Sequence, residues 1–257
     1  MNQKTLVFIP TYNEAENIES IYREIKGLNL DVDFLFVDDN SPDGTGQIID
    51  RLVREDTKVH VIHRPERNGI GTAHLEGIRW AYQRSYQNLI TMDADFSHSP
   101  KYLPDFLRQA HQSNVVVGSR YLPHSRFEGW HWIRKILTYL GHFLTRIILR
   151  MPYDATNAYR LYRLDKIPEG IFKIVNSKGY SFFFESLYVI QLNGHTIQEI
   201  PIALLNRRYG HSKMRFKDFF DSITQLARSY IRSLINRDAF LYSQSSVHDA
   251  EAFVSKD

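Results

Sequence analysis

A chain of 257 residues, 43% hydrophobic and 24% charged, has ample length for a core and an ordinary soluble composition, as one large domain or a domain with an appendage. A net charge of +3 selects no partner class, and the lack of cysteine excludes disulfides and thiolate metal sites while being compatible with a reducing compartment. No apolar run reaches the roughly 18 residues of a membrane span, and the apolar start of MNQKTLVFIPTYNE is too short for a signal peptide.

The first half alternates strands and helices. Lys4 to Pro10 (KTLVFIP) has the length and apolarity of a buried strand, and Thr11-Tyr12 is the turn after it. Asn13 and Glu16 resemble a helix-capping pair, followed by Ile18, Ile21, Tyr22 and Ile25 on one helical face. Asp33 to Val37 is a second strand that stops at Asp38-Asp39. Ser41-Pro42-Asp43-Gly44 is a turn, and Ile48, Ile49, Leu52 and Val53 supply the next helix. Lys58 to His63 is a third strand, and the Asn68-Gly69-Ile70-Gly71 loop opens a helix carrying Ile78, Ala81 and Tyr82. A fourth strand, Leu89 to Met92, ends abruptly in acid. Leu103, Phe106, Leu107 and Ala110 mark another helix, and Asn114 to Gly118 another strand that ends in Ser119-Arg120-Tyr121. Such alternation implies parallel strands joined by right-handed crossovers, a doubly wound α/β domain.

In that class the C-terminal strand edge is the ligand edge. Pro10-Thr11-Tyr12, Asp38-Asp39 and Asp93-Ala94-Asp95 therefore fall on one rim. Asp93 and Asp95 can present two carboxylates to one hard cation and leave open positions for waters and a diphosphate, although a lone pair of this kind is often a solvated turn. Asp38-Asp39 alone reads as a helix cap and turn; three such ends on one rim favour a nucleotide site. No G-x-G-x-x-G follows the first strand, which argues against a dinucleotide fold. Arg120, just past a strand end on the same rim, is placed to meet a phosphate bidentately, with a surface salt bridge as the plainer alternative.

The second half is more aromatic. Gly129 to Arg150 is a helical stretch with Ile133, Ile136, Leu137, Leu140, Leu144, Ile147 and Ile148 at spacings of three and four, preceded by Trp130 and Trp132 and interrupted by Arg134, Lys135 and Arg146. It suits either a core helix lidding the sheet or a helix lying in a membrane interface. Ser181 to Leu192 reads as a buried helix, with a strand through His195 to Pro201 after it. Glu185 within that helix needs a partner, for which Arg160 and Arg163 are candidates. Phe216 to Ile235 alternates apolar and basic faces, and from Asn236 to Asp257 the chain is a polar tail expected to be mobile.

The ordered motifs Pro10-Thr11-Tyr12-Asn13-Glu14-Ala15-Glu16-Asn17, Val37-Asp38-Asp39-Asn40-Ser41-Pro42-Asp43-Gly44 and Met92-Asp93-Ala94-Asp95-Phe96-Ser97-His98-Ser99-Pro100 resemble an inverting family 2 glycosyltransferase with a GT-A domain. Within that family the chain is similar to dolichyl-phosphate mannose synthase and its polyprenol-phosphate relatives. The likeness continues through Gly118-Ser119-Arg120-Tyr121, Asn157 to Arg163, Ser177-Lys178-Gly179-Tyr180 and Arg207 to Lys213, covering about residues 4 to 235. It implies a nucleotide-sugar site formed by Pro10, Tyr12, Glu14, Val37 and Asp39, with Ala94 bringing backbone close to the diphosphate. It implies Mg²⁺ or Mn²⁺ on Asp93 and Asp95, and Arg120, Arg207 and Lys213 meeting phosphates of donor or acceptor. Two departures stand out: Ser97 occupies a position where some relatives carry Gln, and in Asp154 to Ala158 relatives tend to have a small Gly or Ser near Asn157.

The expected function is mannose transfer from GDP-mannose to a dolichyl or polyprenyl phosphate, by an enzyme peripheral on the cytoplasmic face of a membrane and with a membrane-anchored partner protein as one route of recruitment. Glucose or an N-acetylhexosamine as the transferred sugar is the alternative within the same fold. A non-catalytic nucleotide or nucleic-acid binder is disfavoured because the basic residues form no dense cluster and the acidic rim repels a phosphate backbone. A peripheral scaffold would bind vesicles without regard to divalent ions or nucleotide.

Overall fold

The computed structural model describes residues 3–127, 132–205, 207–209 and 216–243. Its elements in chain order are β1 (Thr5–Thr11), α1 (Ala15–Gly27), β2 (Val32–Asp38), α2 (Thr45–Glu55), β3 (Val59–His63), α3 (Ile70–Gln83), β4 (Asn88–Thr91), α4 (Leu103–Gln109) and β5 (Val115–Ser119). They continue with β6 (Arg126–Phe127), α5 (Trp132–Ile148), β7 (Arg160–Arg163), α6 (Glu169–Lys173), α7 (Phe182–Leu192), β8 (Ile197–Pro201), β9 (Ala203–Leu204) and α8 (Phe216–Ile235). Short 3₁₀ turns cover Pro100–Tyr102 and Arg237–Phe240.

Seven strands form one sheet in the order β3-β2-β1-β4-β7-β5-β8, and β6 pairs with β9 in a separate ribbon. Every pairing in the main sheet is parallel except those of β7, which runs antiparallel between β4 and β5. The mostly parallel α/β architecture is the expected one. The antiparallel insertion is not legible in advance, because Arg160–Arg163 (RLYR) has arginines at both ends and no apolar run.

Both faces of the sheet are covered, and the pleat divides the strand residues between them. Leu6 and Phe8, Leu35 and Val37, Leu89, and Val115 and Val117 enter one core with α3, α6 and α7. Val7 and Ile9, Phe34 and Phe36, Ile90 and Val116 enter the other with α1, α2 and α4. Most of these side chains are fully buried, each contributing about 1.5–3 kcal/mol of transfer free energy, so a one-residue slip in register would move every one to the wrong face.

Two local expectations are corrected. The capping of α1 does not come from Asn13 and Glu16: there is no side-chain cap of the helix's own. Instead, Asp43 Oδ2 accepts the Ala15 N–H at 3.1 Å and Thr45 Oγ1 accepts that of Glu14 at 2.9 Å, so the turn after β2 caps the helix after β1. Glu185 is paired with no arginine among the described residues. Its carboxylate accepts the N–H groups of Asn176 and Ser177 at 3.3 and 2.9 Å and shapes the loop before α7. Arg160 serves Tyr162, Ser186 and the Ala155 carbonyl, while Arg163 serves Asp165 and the Ala110 carbonyl.

The chain after α8 is also more ordered than its polarity suggests. Phe240 is buried, Asn193 accepts the Tyr242 N–H and donates to the Phe240 carbonyl, and the Tyr242 ring lies against Gly170. The polar tail therefore does not begin at Asn236; residues 244–257 lie outside the described ones.

Candidate active site

The strand order turns back between β1 and β4, and the crevice at such a switch point is where open α/β sheets bind ligands. A cavity of about 570 Å³ opens there. Of the eleven residues expected at the site, Pro10, Tyr12, Glu14, Asp39, Asp93, Ala94, Asp95, Arg120 and Arg207 all line it. Val37 does not. It is buried in β2 below the rim, where its carbonyl accepts the Thr11 hydroxyl at 3.2 Å. Lys213 lies outside the described residues.

At one end of the cavity, Asp38 and Asp39 divide the two roles considered for that pair. Asp38 is the turn residue, accepting the Ser41 hydroxyl at 2.5 Å and the Ser41 N–H at 3.2 Å. Asp39 reaches the cavity and pairs with Arg64 at 2.6 Å, and Arg64 also touches Thr72 and Glu76. Burial raises the Asp39 carboxyl, only partly offset by Arg64. Arg67 stands over the Tyr12 ring at 4.7 Å. It was not foreseen, yet it follows β3 on the same rim as the other strand-end residues.

At the middle, the turn after β4 carries the acids. The Asp93 side chain is 36% exposed, while that of Asp95 is 4% exposed. Asp95 Oδ1 accepts the Ser97 N–H at 3.0 Å, and Oδ2 meets Arg207 Nη1 at 3.0 Å. Burial alone would raise the Asp95 carboxyl, but Arg207 and Ser97 outweigh it and hold it below the ordinary carboxylate value. The Arg207 segment is fastened here through the backbone: Arg208 N–H donates to the Asp95 carbonyl, and Leu205 N–H to that of Ser97.

Arg120 has found its bidentate partner within the protein. Its Nε and Nη2 donate to Asp154 Oδ2 and Oδ1 at 2.7 and 2.6 Å, and Nη2 also reaches Thr156 Oγ1. Asp154 is fully buried, and the guanidinium keeps it ionised against the pull of burial. Arg120 thus presents to the cavity a charge already balanced by Asp154, and the plainer salt-bridge alternative survives in buried form.

The far end of the cavity is apolar. Leu137, Gly141 and Leu144 of α5 face Phe219, Ile223 and Leu226 of α8 there, with Phe183 and Phe184 of α7. Other apolar side chains of these two helices are exposed: Trp132, Ile136, Tyr139, Leu140, Phe143 and Ile147 on α5, and Phe220, Tyr230, Ile231, Leu234 and Ile235 on α8. No helix among the described residues is long and apolar enough to cross a membrane. Residues 129–131 of the expected amphipathic stretch lie outside the described ones.

A hard cation takes oxygen ligands and leaves positions for water and phosphate, and the donor set fits that need. Asp93 offers a carboxylate with no hydrogen bond among the described residues, and Asp95 already holds a positive group at the same place. No group of three or more acidic or imidazole side chains placed to hold a metal ion exists among the described residues, so the remaining ligands of a cation there would come from a diphosphate and solvent.

The sheet order and the acid-tipped cavity at its switch point define a GT-A-like nucleotide-sugar transferase fold. Glycosyl transferase family 2 matches over residues 6–175, and the chain belongs to that family. It is 38% identical to an undecaprenyl-phosphate mannosyltransferase of Micrococcus luteus over 212 residues, 82% of this chain and 87% of that protein. It is 37% identical to a polyprenol monophosphomannose synthase of Mycolicibacterium smegmatis over 238 residues, 91% of this chain and 90% of the relative. Among solved structures the fold is similar to glucosyl-3-phosphoglycerate synthase of Mycobacterium tuberculosis in complex with Mn²⁺, UDP and glucosyl-3-phosphoglycerate, with a TM-score of 0.60 at 16% identity, covering 95% of this chain and 82% of the other. A mannosyltransferase of Pyrobaculum calidifontis in complex with GDP-mannose and Mn²⁺ gives a TM-score of 0.54 at 16% identity, covering 91% of this chain and 65% of the other.

Proposed function

We propose that this protein is an inverting mannosyltransferase that moves mannose from GDP-mannose to a polyprenyl or dolichyl phosphate, yielding a β-linked lipid-phosphate sugar. The observation that carries this reading is the cavity itself, acid-lined at the strand ends and apolar between α5 and α8. A nucleotide diphosphate sugar suits the first region and an isoprenoid the second. The named activities of the two curated relatives agree with it.

Each group then has a task. Pro10, Tyr12, Glu14 and Asp39 hold the nucleoside end of the donor. Asp93 and Asp95 hold Mg²⁺ or Mn²⁺, which when bound supplies Lewis-acid neutralisation of the departing diphosphate. Arg207 and Lys213 offset the remaining phosphate charge, and Arg120, held from behind by Asp154, lines the same cavity. The acceptor phosphate is already anionic near neutral pH, so the protein needs no strong general base. Its work is to bring two phosphate-bearing molecules together in line. The outward stripes of α5 and α8, with Lys135, Arg146 and Arg232 on the same helices, rest on the lipid surface at the cytoplasmic face, where a charged donor unable to cross a bilayer is available.

The test is the lipid-extractable product formed from a prenyl phosphate with GDP-mannose, UDP-glucose or UDP-N-acetylglucosamine, each with and without Mn²⁺. A mannosylated lipid that requires GDP-mannose and the cation is the expected result. Product from another donor alone would replace the sugar assignment, and no product from any donor would end the proposal.

A further inference from the structure

His98 is buried at the edge of the cavity, between Asp93 and Asn157. Its Nδ1 lies 3.0 Å from the backbone nitrogen of Asp93, and its Nε2 lies 3.0 Å from Asn157 Oδ1. A backbone amide can only donate, so Nδ1 is the acceptor and the ring proton sits on Nε2. Nε2–H then donates to Asn157, whose amide in turn donates to the Gly118 carbonyl at 2.5 Å. The ring stacks on Tyr159 with centroids 4.9 Å apart, and the Tyr159 hydroxyl is tied to the Ser99 carbonyl. One imidazole thus joins the turn after β4, the segment before β7 and the end of β5 that leads into Arg120.

We infer that His98 is the positioning residue of the cation site: by accepting the Asp93 amide while presenting no proton to the Asp93 carboxylate, it fixes the turn and leaves that carboxylate available to the metal. The nearer carboxylate oxygen stands 3.7 Å from Nδ1. With a proton on Nδ1 the ring would claim that oxygen; with the proton on Nε2 it has no donor to offer. Asn157 selects the tautomer by offering only its carbonyl oxygen to Nε2, since its amide is engaged with Gly118. Outer partners of this kind typically alter metal affinity by roughly 10- to 100-fold when removed.

The inference rests on Asp93 and Asp95 being the metal ligands, and the experiment separates the two. Mn²⁺ is titrated into the full chain in the presence of GDP, for wild type, Asp93→Ala, His98→Asn, His98→Gln and His98→Phe. Asparagine places an amide oxygen where Nδ1 was and keeps the bond from Asp93. Glutamine reaches only toward Asn157, and phenylalanine keeps only the stack on Tyr159. Affinity should fall by about tenfold or more in the Gln and Phe variants and recover in the Asn variant, with the KM for prenyl phosphate unchanged. An Asn variant no better than Phe, or a Phe variant that binds Mn²⁺ like wild type, overturns the positioning role. A wild type that binds no Mn²⁺, or an Asp93→Ala that binds it fully, overturns the cation site and this role with it. A second readout needs no substitution: the ¹⁵N resonances of His98 in the wild-type protein should be those of the Nε2–H tautomer, and a protonated Nδ1 would refute the assignment.

Discussion

Under the proposed function Arg207 and a divalent cation compete for the same carboxylate, so Arg207→Gln should have effects of opposite sign on the two ligands. Arg207 Nη1 stands 3.0 Å from Asp95 Oδ2, with the two side chains 23% and 4% exposed. The pair is nearer to a buried one than to a surface one, and a hydrogen bond to a charged group in such a place contributes about 1.5–3 kcal/mol net. Without nucleotide, Mn²⁺ must displace the guanidinium, so its removal should tighten binding of Mn²⁺ alone by about tenfold or more, at roughly 1.4 kcal/mol per decade. With Mn²⁺ present, GDP loses a cationic contact and should bind more weakly by a similar factor. The unliganded protein should also be less stable at pH 7. The Asp95 carboxyl is held low in the folded state, so its contribution is present above the unfolded carboxylate pKa and lost as pH falls through the folded one; without Arg207 the largest group opposing burial is gone and that contribution shrinks. Calorimetric titration of Mn²⁺ with and without GDP reads both signs. Mn²⁺ binding that is unchanged or weaker in the absence of nucleotide would refute the competition.

Three further outcomes follow from the geometry. Asp154→Ala strands the buried Arg120 guanidinium and should cost about 3–5 kcal/mol in urea unfolding at pH 7; a loss under 1 kcal/mol, on the scale of an exposed pair, would mean that Arg120 finds water or another acceptor. His74 lies wholly buried among Phe8, Phe182 and Phe183 with both ring nitrogens unpartnered, and burial lowers its pKa to about 3. Because its folded pKa lies below the unfolded value, stability should decline as pH falls from about 7 toward 3, by roughly 1.4 kcal/mol per unit from this group. His74→Leu should flatten that decline in urea titrations at pH 5 and 8, and an unchanged slope would place the acid sensitivity elsewhere. Phe143→Glu with Ile147→Glu, both on the outward face of α5, should reduce vesicle binding by 100-fold or more in flotation assays while sparing turnover of a short, water-soluble prenyl phosphate. Equal loss of both activities would move this face from docking to folding.

The parts of the molecule legible from sequence are those where one short pattern has one physical meaning. β1, β2, β4 and β5 are apolar runs that end in turn or acid residues, and their ends meet on one rim as strand direction requires. β7 escaped because its pairing is settled by neighbours far away in the chain. Arg160 and Arg163 donate to Ser186, Ala155, Ala110 and Asp165, and no local pattern reports such partners. The capping of α1 escaped for the same reason, since Asp43 and Thr45 act across a separation of about 30 residues. The bidentate geometry of Arg120 was legible, but its partner was not. An arginine at a strand end is equally suited to a phosphate or a carboxylate, and only the fold brings Asp154 to it. His98 stands in plain sight within the motif after Asp95, yet its bearing on Asp93 depends on Asn157, 59 residues away.

The ambiguity of α5 has a physical cause that also explains its use. An amphipathic period of three and four normally marks one apolar face that is buried against a core. Here Leu137, Gly141 and Leu144 line the cavity on one side, while Ile136, Tyr139, Phe143 and Ile147 are exposed on another. A helix that only lidded the sheet would need the first set, and a helix that only lay on a surface would need the second. α8 repeats the arrangement, with Phe219, Ile223 and Leu226 inward and Phe220, Ile231 and Ile235 outward. Under the proposed function, the two substrates differ in solubility and must meet at one carbon atom. Two helices that are apolar toward both the cavity and the lipid let an isoprenoid chain pass between them without exposing it to water. In that reading its phosphate arrives beside Arg120, near the acids assigned to the donor.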